Sequence, residues 1–323
     1  MAKGQRKVAS DKSGIVTALP RACADEQAAV EFLEDQRWAE TGPCCPRCGD
    51  TDVYKMTDRK TDERSKRFLW LCKGCKRQYT VRVGTVYEDS RIPLRHWCYA
   101  FWKACSSKKG VSALQIKRET GLTYKSALFL MHRIRWAMAE ENPAKLTGTI
   151  EGDETYVGGK ARYRGGHKGG VGSGHAPVVA LVERGGRVRS WHMANVNAVN
   201  LTEAVRELVD PENSRLLTDE KQWWRRPGRE FAFGHDTVNH RSHEFARGDV
   251  SSNTIEGVFS LLKRGIYGTF HNVSKHHLHR YLSEFDFRYN NRKIDDGERT
   301  AIAIRSAEGK WLRYKEPVAK TAK

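Results

Sequence analysis

The chain has 323 residues, of which 39% are hydrophobic, so it is long enough for two or three domains and at least one sizeable core. Its 57 Lys and Arg outnumber its 39 Asp and Glu and leave a formal charge of +18, which favours nucleic acid as the partner; a basic surface kept for solubility is the alternative. No apolar run reaches membrane-span length and no apolar segment follows the first charged residues, so we expect a cytosolic protein without a membrane partner or a secretory signal.

The chain starts with two predicted segments of different character. Residues 1–24 are polar and basic and are predicted to form a mobile arm. Residues 25–90 are predicted to form the first domain, in which a weakly periodic helix over Asp25–Trp38 leads into a small zinc-stabilised β unit.

Two cysteine pairs of the form C-x2-C, separated by 23 residues, predict that this β unit binds zinc. Each pair bends the backbone so that two thiolates converge on one tetrahedral ion, and four thiolates leave no open position, so one structural zinc ion is expected. Cys44 competes with Cys45, but only Cys45 keeps the two-residue spacing; four unrelated buried cysteines are the alternative. The predicted ligands are Cys45, Cys48, Cys72 and Cys75.

Residues 91–145 are predicted to form a helical DNA-binding unit, with a helix, a short turn and a second helix from Ser112 to Glu140. Gly121 interrupts the pattern, and Thr123 can cap the second helix. Basic residues lie among or opposite the apolar positions and are expected to face outward. The candidates for DNA contact are Lys117, Arg118, Lys125, Arg133 and Arg135. For each of them an ordinary solubility role is the alternative.

After Pro143 the sequence changes to short apolar runs that predict strands. In chain order we expect strands over 149–157, 175–183 and 188–194, a helix over 200–209 and a fourth strand over 215–218. Further helices follow, so residues 146–300 are predicted to form an α/β domain, and residues 301–323 a C-terminal tail.

Three carboxylates of this domain are predicted to carry its chemistry. Strand alternation places Asp153 on one face of its strand together with Glu151 and Thr155. Asp219 ends the fourth strand, at the mouth of the sheet where α/β folds bind ligands, so we expect Asp153 and Asp219 to meet. The third acid, Glu256, lies on a later helix. Neighbouring acids compete for these roles, namely Glu151, Glu154, Asp210, Glu220 and Asp236.

Residues 253–263 predict an amphipathic helix that carries the third acid. At about 100° per residue, an apolar stripe and a polar stripe lie on roughly opposite faces. The apolar stripe consists of Ile255, Val258, Phe259 and Leu262, and the polar stripe of Asn253, Glu256, Ser260 and Lys263. Ser251 or Ser252 can cap the helix, and a polar stripe kept for solubility is the alternative.

Three carboxylates as close together as Asp153, Asp219 and Glu256 would repel one another, so the free-energy cost of the cluster is too high unless cations neutralise it. We therefore expect two Mg²⁺ or Mn²⁺ ions roughly 4 Å apart, which activate a water or hydroxyl and stabilise the attacking and leaving oxygens of a phosphodiester displacement. Carboxylate oxygens suit these ions rather than zinc.

Several motifs are specific enough to compare with known families. They are CPRCG, CKGC, GTVYEDSRIPLRHWCYAFW, KKGVSALQIKRETGL, EGDETYVGGK, LLTDE and NTIEGVFSLLKRGIYGTFHNVSKHHLHRYLSEFDFRYNNR. On these motifs the chain resembles zinc-ribbon insertion-sequence transposases of the DDE superfamily, of the fifteen-ninety-five type, over about residues 31–292. The resemblance implies an RNase H-like catalytic domain with a mixed five-stranded sheet, preceded by the zinc ribbon and a helix-turn-helix-like unit.

The resemblance also implies roles for the residues of the late helix. Either Asn253 or Glu256, three residues further on, is the third catalytic member. Lys263 follows Glu256 by seven residues and is expected to contact DNA phosphate, with Arg264 beside it. The family pattern leads us to expect a Tyr-bearing turn after Asp219, where this chain has residues 221–226 with the sequence KQWWRR.

The leading interpretation is a DNA transposase of a bacterial insertion sequence, which cleaves the element ends and joins their 3′-hydroxyls to target DNA. Its implied partners are double-stranded terminal inverted repeats, target DNA and further copies of the chain in a synaptic complex, in the cytoplasm and at the nucleoid. The alternative is a non-catalytic zinc-ribbon and helix-turn-helix DNA-binding regulator derived from such a transposase.

Overall fold

The structure, a computed structural model, describes residues 13–312 apart from 59, 159–175, 240, 241, 243 and 245. The described residues divide into two compact units. The first unit comprises residues 13–106, 113–137 and 294–312, and the second comprises residues 107–112 and 138–293.

Two helices open the first unit, α1 (Ser13–Ala24) and α2 (Glu26–Trp38). Asp25 ends the first helix and caps the second, because its carboxylate accepts a hydrogen bond of 2.8 Å from the backbone N–H of Ala28. The predicted mobile arm is therefore wrong over residues 13–24. Leu19 and Ala22, three residues apart on one face of α1, are buried, and this small apolar face packs against α2. Residues 1–12 of the arm lie outside the described residues.

A three-stranded antiparallel sheet follows, formed by β1 (Val53–Lys55), β2 (Trp70–Cys72) and β3 (Gln78–Tyr79). Its small core is aromatic. The rings of Trp70 and Tyr79 stack with centroids 6.4 Å apart, and Trp38 of α2 packs edge-on to Trp70 at 5.2 Å. Glu34 of α2 is buried and accepts a 2.7 Å hydrogen bond from the indole N–H of Trp70. Its carboxylate also forms an ion pair with the guanidinium of Arg64. The predicted β unit is thus fastened to the predicted helix.

Four further helices belong wholly or mainly to the first unit. They are α3 (Leu94–Ser106), α4 (Ala113–Thr120), α5 (Tyr124–Met138) and α10 (Asp296–Arg305). A turn with Gly121 at φ 73° separates α4 from α5, and the Thr123 hydroxyl accepts a hydrogen bond from the Ser126 N–H, so the predicted helix, turn and helix are present. The predicted boundary at residue 300 is wrong, because it cuts α10, which packs against α3.

The second unit is built on a five-stranded mixed sheet in the order β6-β5-β4-β7-β8. Its strands are β4 (Leu146–Val157), β5 (Ala176–Glu183), β6 (Val188–His192), β7 (Val209–Asp219) and β8 (His235–Val238). β4, β5 and β6 pair antiparallel, whereas β4, β7 and β8 run parallel. The predicted fourth strand, 215–218, is the end of the longer β7.

Helices cover both faces of this sheet. One face packs against α6 (Ala198–Leu208) and a short turn of helix at Gln222–Trp224, which runs into α7 (Arg225–Gly228). The other face packs against α8 (Asn253–Gly265) and α9 (Leu278–Asn290), which flank a π-turn and a 3-10 turn. A small hairpin, β9 (Ala246–Arg247) and β10 (Val250–Ser251), precedes α8.

Strand alternation explains the two cores. In β5, Val179 and Leu181 enter the core under α6, while Val178, Ala180 and Val182 enter the core under α8 and α9. The predicted apolar stripe of α8 (Ile255, Val258, Phe259 and Leu262) lies in that second core. The α/β fold class, with a mixed five-stranded sheet of the RNase H-like kind, is confirmed.

Candidate active site and zinc site

The structure brings the four predicted cysteines of the ribbon together. Cys45 and Cys75 have their sulfurs 3.7 Å apart, and Cys48 and Cys72 have theirs 3.6 Å apart. Zn–S bonds of about 2.3 Å in a tetrahedron separate the sulfurs by about 3.8 Å, so these four thiols fit one zinc ion. All four sulfurs lie within 4.8 Å of one another, which makes the ribbon a closed structural zinc site.

The basic residues of α4 and α5 divide into an exposed and a buried set. Lys117 and Arg118 of α4 and Lys125 of α5 are exposed, as predicted. Arg133 and Arg135 are buried, and the prediction that they face outward is wrong.

The burial of Arg133 has a physical reason. One of its guanidinium nitrogens donates to the carbonyl oxygens of Val86 and Glu88, at 2.7 and 2.5 Å, and the other donates to that of Leu312 at 2.8 Å. A guanidinium whose N–H groups meet carbonyl oxygens tolerates burial, so Arg133 ties three chain segments together. It is not available to bind DNA.

The pairing register of two parallel strands brings Asp153 and Asp219 side by side. Thr149 of β4 pairs with Arg215 of β7, and Glu151 pairs with Leu217. Two residues further on, the same register places Asp153 beside Asp219. Their carboxylate oxygens belong to a group whose members all lie within 4.8 Å of one another, so the predicted meeting of these two acids is observed.

The third member of that group is Glu154, one of the predicted competitors. Its side chain is only 1% exposed. The indole N–H groups of Trp223 and Trp224 both donate to one of its oxygens at 3.2 Å. The segment KQWWRR, where a Tyr-bearing turn was expected, therefore holds the acid next to Asp153.

Lys221 lies among these three acids. Its ammonium is 2.8 Å from the Asp219 carboxylate and 3.4 Å from that of Asp153, and it makes its shortest contact with Glu154. Sequence reasoning missed this residue. The available signal was its position two residues after Asp219, at the start of the segment that departs from the family pattern.

The pKa values of the cluster reflect burial and crowding. Burial raises the pKa of Asp153 to about 6; Lys221 opposes the rise, and the charges of Glu154 and Asp219 add to it. Burial lowers the pKa of Lys221, but the attraction of Asp153 and hydrogen bonds to Asp219 and Glu154 raise it well above the usual value for lysine. The ammonium is therefore charged at neutral pH and opposes the excess negative charge of the acids.

Glu151, on the same face of β4 as Asp153, fastens the start of α8. Its carboxylate is fully buried and accepts hydrogen bonds from the backbone N–H groups of Thr254 and Ile255, at 2.8 and 3.0 Å, and from the Thr254 hydroxyl at 2.8 Å. Arg184 donates to it at 2.9 Å. The predicted cap, Ser252, occupies the cap position but makes no side-chain capping bond. An acid from a distant strand therefore takes that place and positions the helix.

The remaining predicted site residues lie on α8 and are exposed. Asn253 and Glu256 belong to its first turn, and Lys263 and Arg264 to its last turn. Within the described part of the chain, Glu256 is not among the acids that lie within 4.8 Å of one another around Asp153. Its role as a metal ligand stays a prediction, as does the choice between Glu256 and Asn253.

Two of the other competing acids are engaged elsewhere. Asp236 forms an ion pair with Arg215 at 2.8 Å, and Asp210 accepts a 2.8 Å hydrogen bond from the Asn213 amide.

Comparisons with known proteins identify both parts of the chain. A family model described as an ISXO2-like transposase domain of the IS1595 type matches residues 145–290, and a transposase zinc-ribbon domain of the same type matches residues 24–78. Together they cover about three fifths of the chain. Both matches are to domains of IS1595-type transposases.

A curated protein that is similar to this chain also belongs to a transposable element. It is named "Uncharacterized protein in transposable element ISH50" and comes from Halobacterium salinarum. It is 29% identical over 279 residues, which cover 81% of this chain and 90% of the relative.

The two domain matches agree with the two sites. The zinc-ribbon match contains all four clustered cysteines, and the transposase-domain match contains Asp153, Asp219 and the whole of α8. These two transposase-domain matches imply DNA as the binding partner. In the described residues, no helix is both long enough and apolar enough to cross a membrane.

Proposed function

We propose that this protein is a catalytically active transposase, which cleaves DNA at the ends of an insertion sequence and joins the freed 3′-hydroxyls to target DNA. The observation that supports the proposal is the carboxylate cluster on the parallel strands β4 and β7, where β7 ends. Asp153 and Asp219 lie on adjacent strands with their oxygens in a group no wider than 4.8 Å. Partly buried acids this close repel one another unless a cation binds between them.

The chemistry of the donor atoms fits Mg²⁺ or Mn²⁺. The cluster offers carboxylate oxygens, which are the ligands these ions prefer. Asp153 and Asp219 would hold the ions, with Glu154, Glu256 or Asn253 as the third ligand. When bound, two such ions supply an activated nucleophile and charge stabilisation for a phosphodiester displacement. The protein orients the ligands, through the strand register for Asp153 and Asp219 and through Glu151 for the start of α8.

DNA is proposed to contact both units of the chain. The zinc ribbon and α4–α5 would bind the terminal inverted repeats through Lys117, Arg118 and Lys125, which are exposed. Lys263 and Arg264, also exposed, would contact phosphates of the DNA end near the acids. Several copies of the chain would hold two ends in a synaptic complex, in the cytoplasm and at the nucleoid.

The test is strand cleavage, with Mg²⁺ or Mn²⁺, of a labelled duplex copied from the DNA that borders the gene, where the proposed function expects a terminal inverted repeat. Asp153→Asn and Asp219→Asn each remove a negative ligand and should abolish cleavage and strand transfer while end binding is retained. Asp210→Asn, at the opposite end of β7, is the matched control and should cleave like wild type. Full cleavage by Asp153→Asn or Asp219→Asn would refute the two-metal mechanism.

The same assay distinguishes the alternative function. A non-catalytic DNA-binding regulator would bind the terminal repeat and leave it uncut in every variant, wild type included.

A further inference from the structure

A lysine ammonium lies where a metal ion would bind. Lys221 is within ion-pair distance of all three carboxylates in the cluster, those of Asp153, Glu154 and Asp219. These are the carboxylates that the described residues offer to a metal ion at this site. The single positive charge of Lys221 is thus surrounded by three carboxylates.

The chain holds Lys221 in this place through local contacts. The backbone N–H of Lys221 donates to the Asp219 carboxylate at 3.2 Å, so the lysine is oriented by the acid it follows. Trp223 and Trp224, in the next turn, donate to one oxygen of Glu154, and the ammonium of Lys221 pairs with the other. Glu154 is therefore a fixed and buried acceptor for the ammonium.

The geometry points to Lys221 as the internal counter-cation of the metal site: its ammonium neutralises Asp153 and Asp219 when no divalent ion is bound, and a divalent ion displaces it. This inference rests on the proposed function, because it assumes that Asp153 and Asp219 are metal ligands.

Displacement follows from the charges and from the freedom of the side chain. An ion bound to Asp153 and Asp219 shares their oxygens with the ammonium, and two cations at that distance repel each other. The Lys221 side chain is 35% exposed and flexible, so it can turn towards solvent while the buried Glu154 stays in place. Two other roles are possible outcomes of the test: a permanent ion pair with Glu154, and a phosphate contact that leaves the metal site unaffected.

The experiment is a calorimetric titration of Mn²⁺ into the zinc-loaded full chain in buffer free of divalent ions. Lys221→Met removes the charge with little change in length and should bind Mn²⁺ about tenfold more tightly, or about 1.4 kcal/mol. Lys221→Arg keeps the charge and should bind like wild type. Lys145→Met is the matched control, because Lys145 is exposed and precedes Asp153 by eight residues, roughly 26 Å along an extended chain.

A second measurement follows thermal unfolding of the same proteins. Without Mn²⁺, Lys221→Met should melt at a lower temperature than wild type, because the acids then have no counter-charge. Saturating Mn²⁺ should reduce this difference. Lys221→Gln gives the same comparison if Lys221→Met does not fold.

The outcomes separate the inference from the proposed function. If wild type binds Mn²⁺ and Lys221→Met binds it no more tightly, the counter-cation role is wrong and the metal site stands. If neither wild type nor Lys221→Met binds Mn²⁺, the metal site itself is wrong, and the proposed function falls with it.

Discussion

Replacing Glu151 tests whether the acid on β4 positions the helix of the candidate site. Glu151 is fully buried and accepts four hydrogen bonds, of 2.8 to 3.0 Å, from Thr254, Ile255 and Arg184. Glu151→Gln keeps the size of the side chain and one acceptor oxygen, but turns an NH2 group towards donors and leaves Arg184 without its carboxylate. Glu151→Ala removes every acceptor.

The expected cost follows from the number of donors left without an acceptor. Breaking a buried ion pair by removing one partner costs about 3 to 5 kcal/mol. Glu151→Ala should lie in that range and Glu151→Gln near its lower end, because Arg184 is 31% exposed and water can partly solvate it. Glu207→Gln, on the exposed side of α6, should change the stability by no more than about 0.5 kcal/mol.

Hydrogen exchange and strand cleavage provide the readouts. The amides of β4 and β5 report the free energy of unfolding of the second unit, and those of Thr254 and Ile255 report the start of α8. In Glu151→Gln the start of α8 should lose protection most, and strand cleavage should fall while end binding is retained. A Glu151→Gln protein with the stability and cleavage rate of Glu207→Gln would refute the positioning role.

Three further predictions address the zinc ribbon, the third catalytic residue and Asp286, a partly buried acid. Cys72→Ser should lose the zinc ion and end binding while the β4 and β5 amides keep their protection; metal analysis that still finds one zinc per chain would contradict this. Glu256→Gln should abolish strand cleavage and Asn253→Ala only reduce it, whereas the reverse result assigns the role to Asn253. Burial raises the pKa of Asp286 to about 7, although Ser190 opposes the rise by hydrogen bonding. Since the folded form then binds a proton that an unfolded carboxylate of pKa near 4 has lost, stability should fall as the pH rises from about 4 to about 7, and Asp286→Asn should remove that slope in urea unfolding.

Local periodicity made much of the fold predictable. The apolar run that ends at Glu183 alternates between two cores, and the polar stripe of α8 lies opposite its apolar stripe. The spacing of the cysteines predicted their convergence, because a knuckle is a local structure. Asp153 and Asp219 were predictable as neighbours, since Asp219 ends its strand at the mouth of the sheet, where α/β folds bind ligands, and Asp153 lies on a strand of the same sheet.

Contacts between distant segments were not predictable in this way. A helical wheel predicts an exposed Arg133, but the carbonyl oxygens that satisfy its guanidinium come from the segment before α3 and from the end of the described chain. The cap of α8 comes from Glu151, more than 100 residues earlier. Lys221 was missed for the same reason, because only the sheet register brings it next to Asp153.

The second unit contains several acids that are buried wholly or in part. Their hydrogen-bond partners distinguish the acids that stabilise the fold from those able to bind a metal ion. Glu151 is saturated by four donors of the protein, and Asp286 accepts both the backbone N–H and the hydroxyl of Ser190. Asp153 and Asp219 share one ammonium, that of Lys221, and keep 21% and 15% of their side chains exposed. Only a carboxylate with lone pairs left over and a path to solvent can accept a metal ion without unfolding its surroundings. On this criterion Asp153 and Asp219 are suited to bind a metal ion, and Glu151 is suited to hold the start of α8 in position beside them.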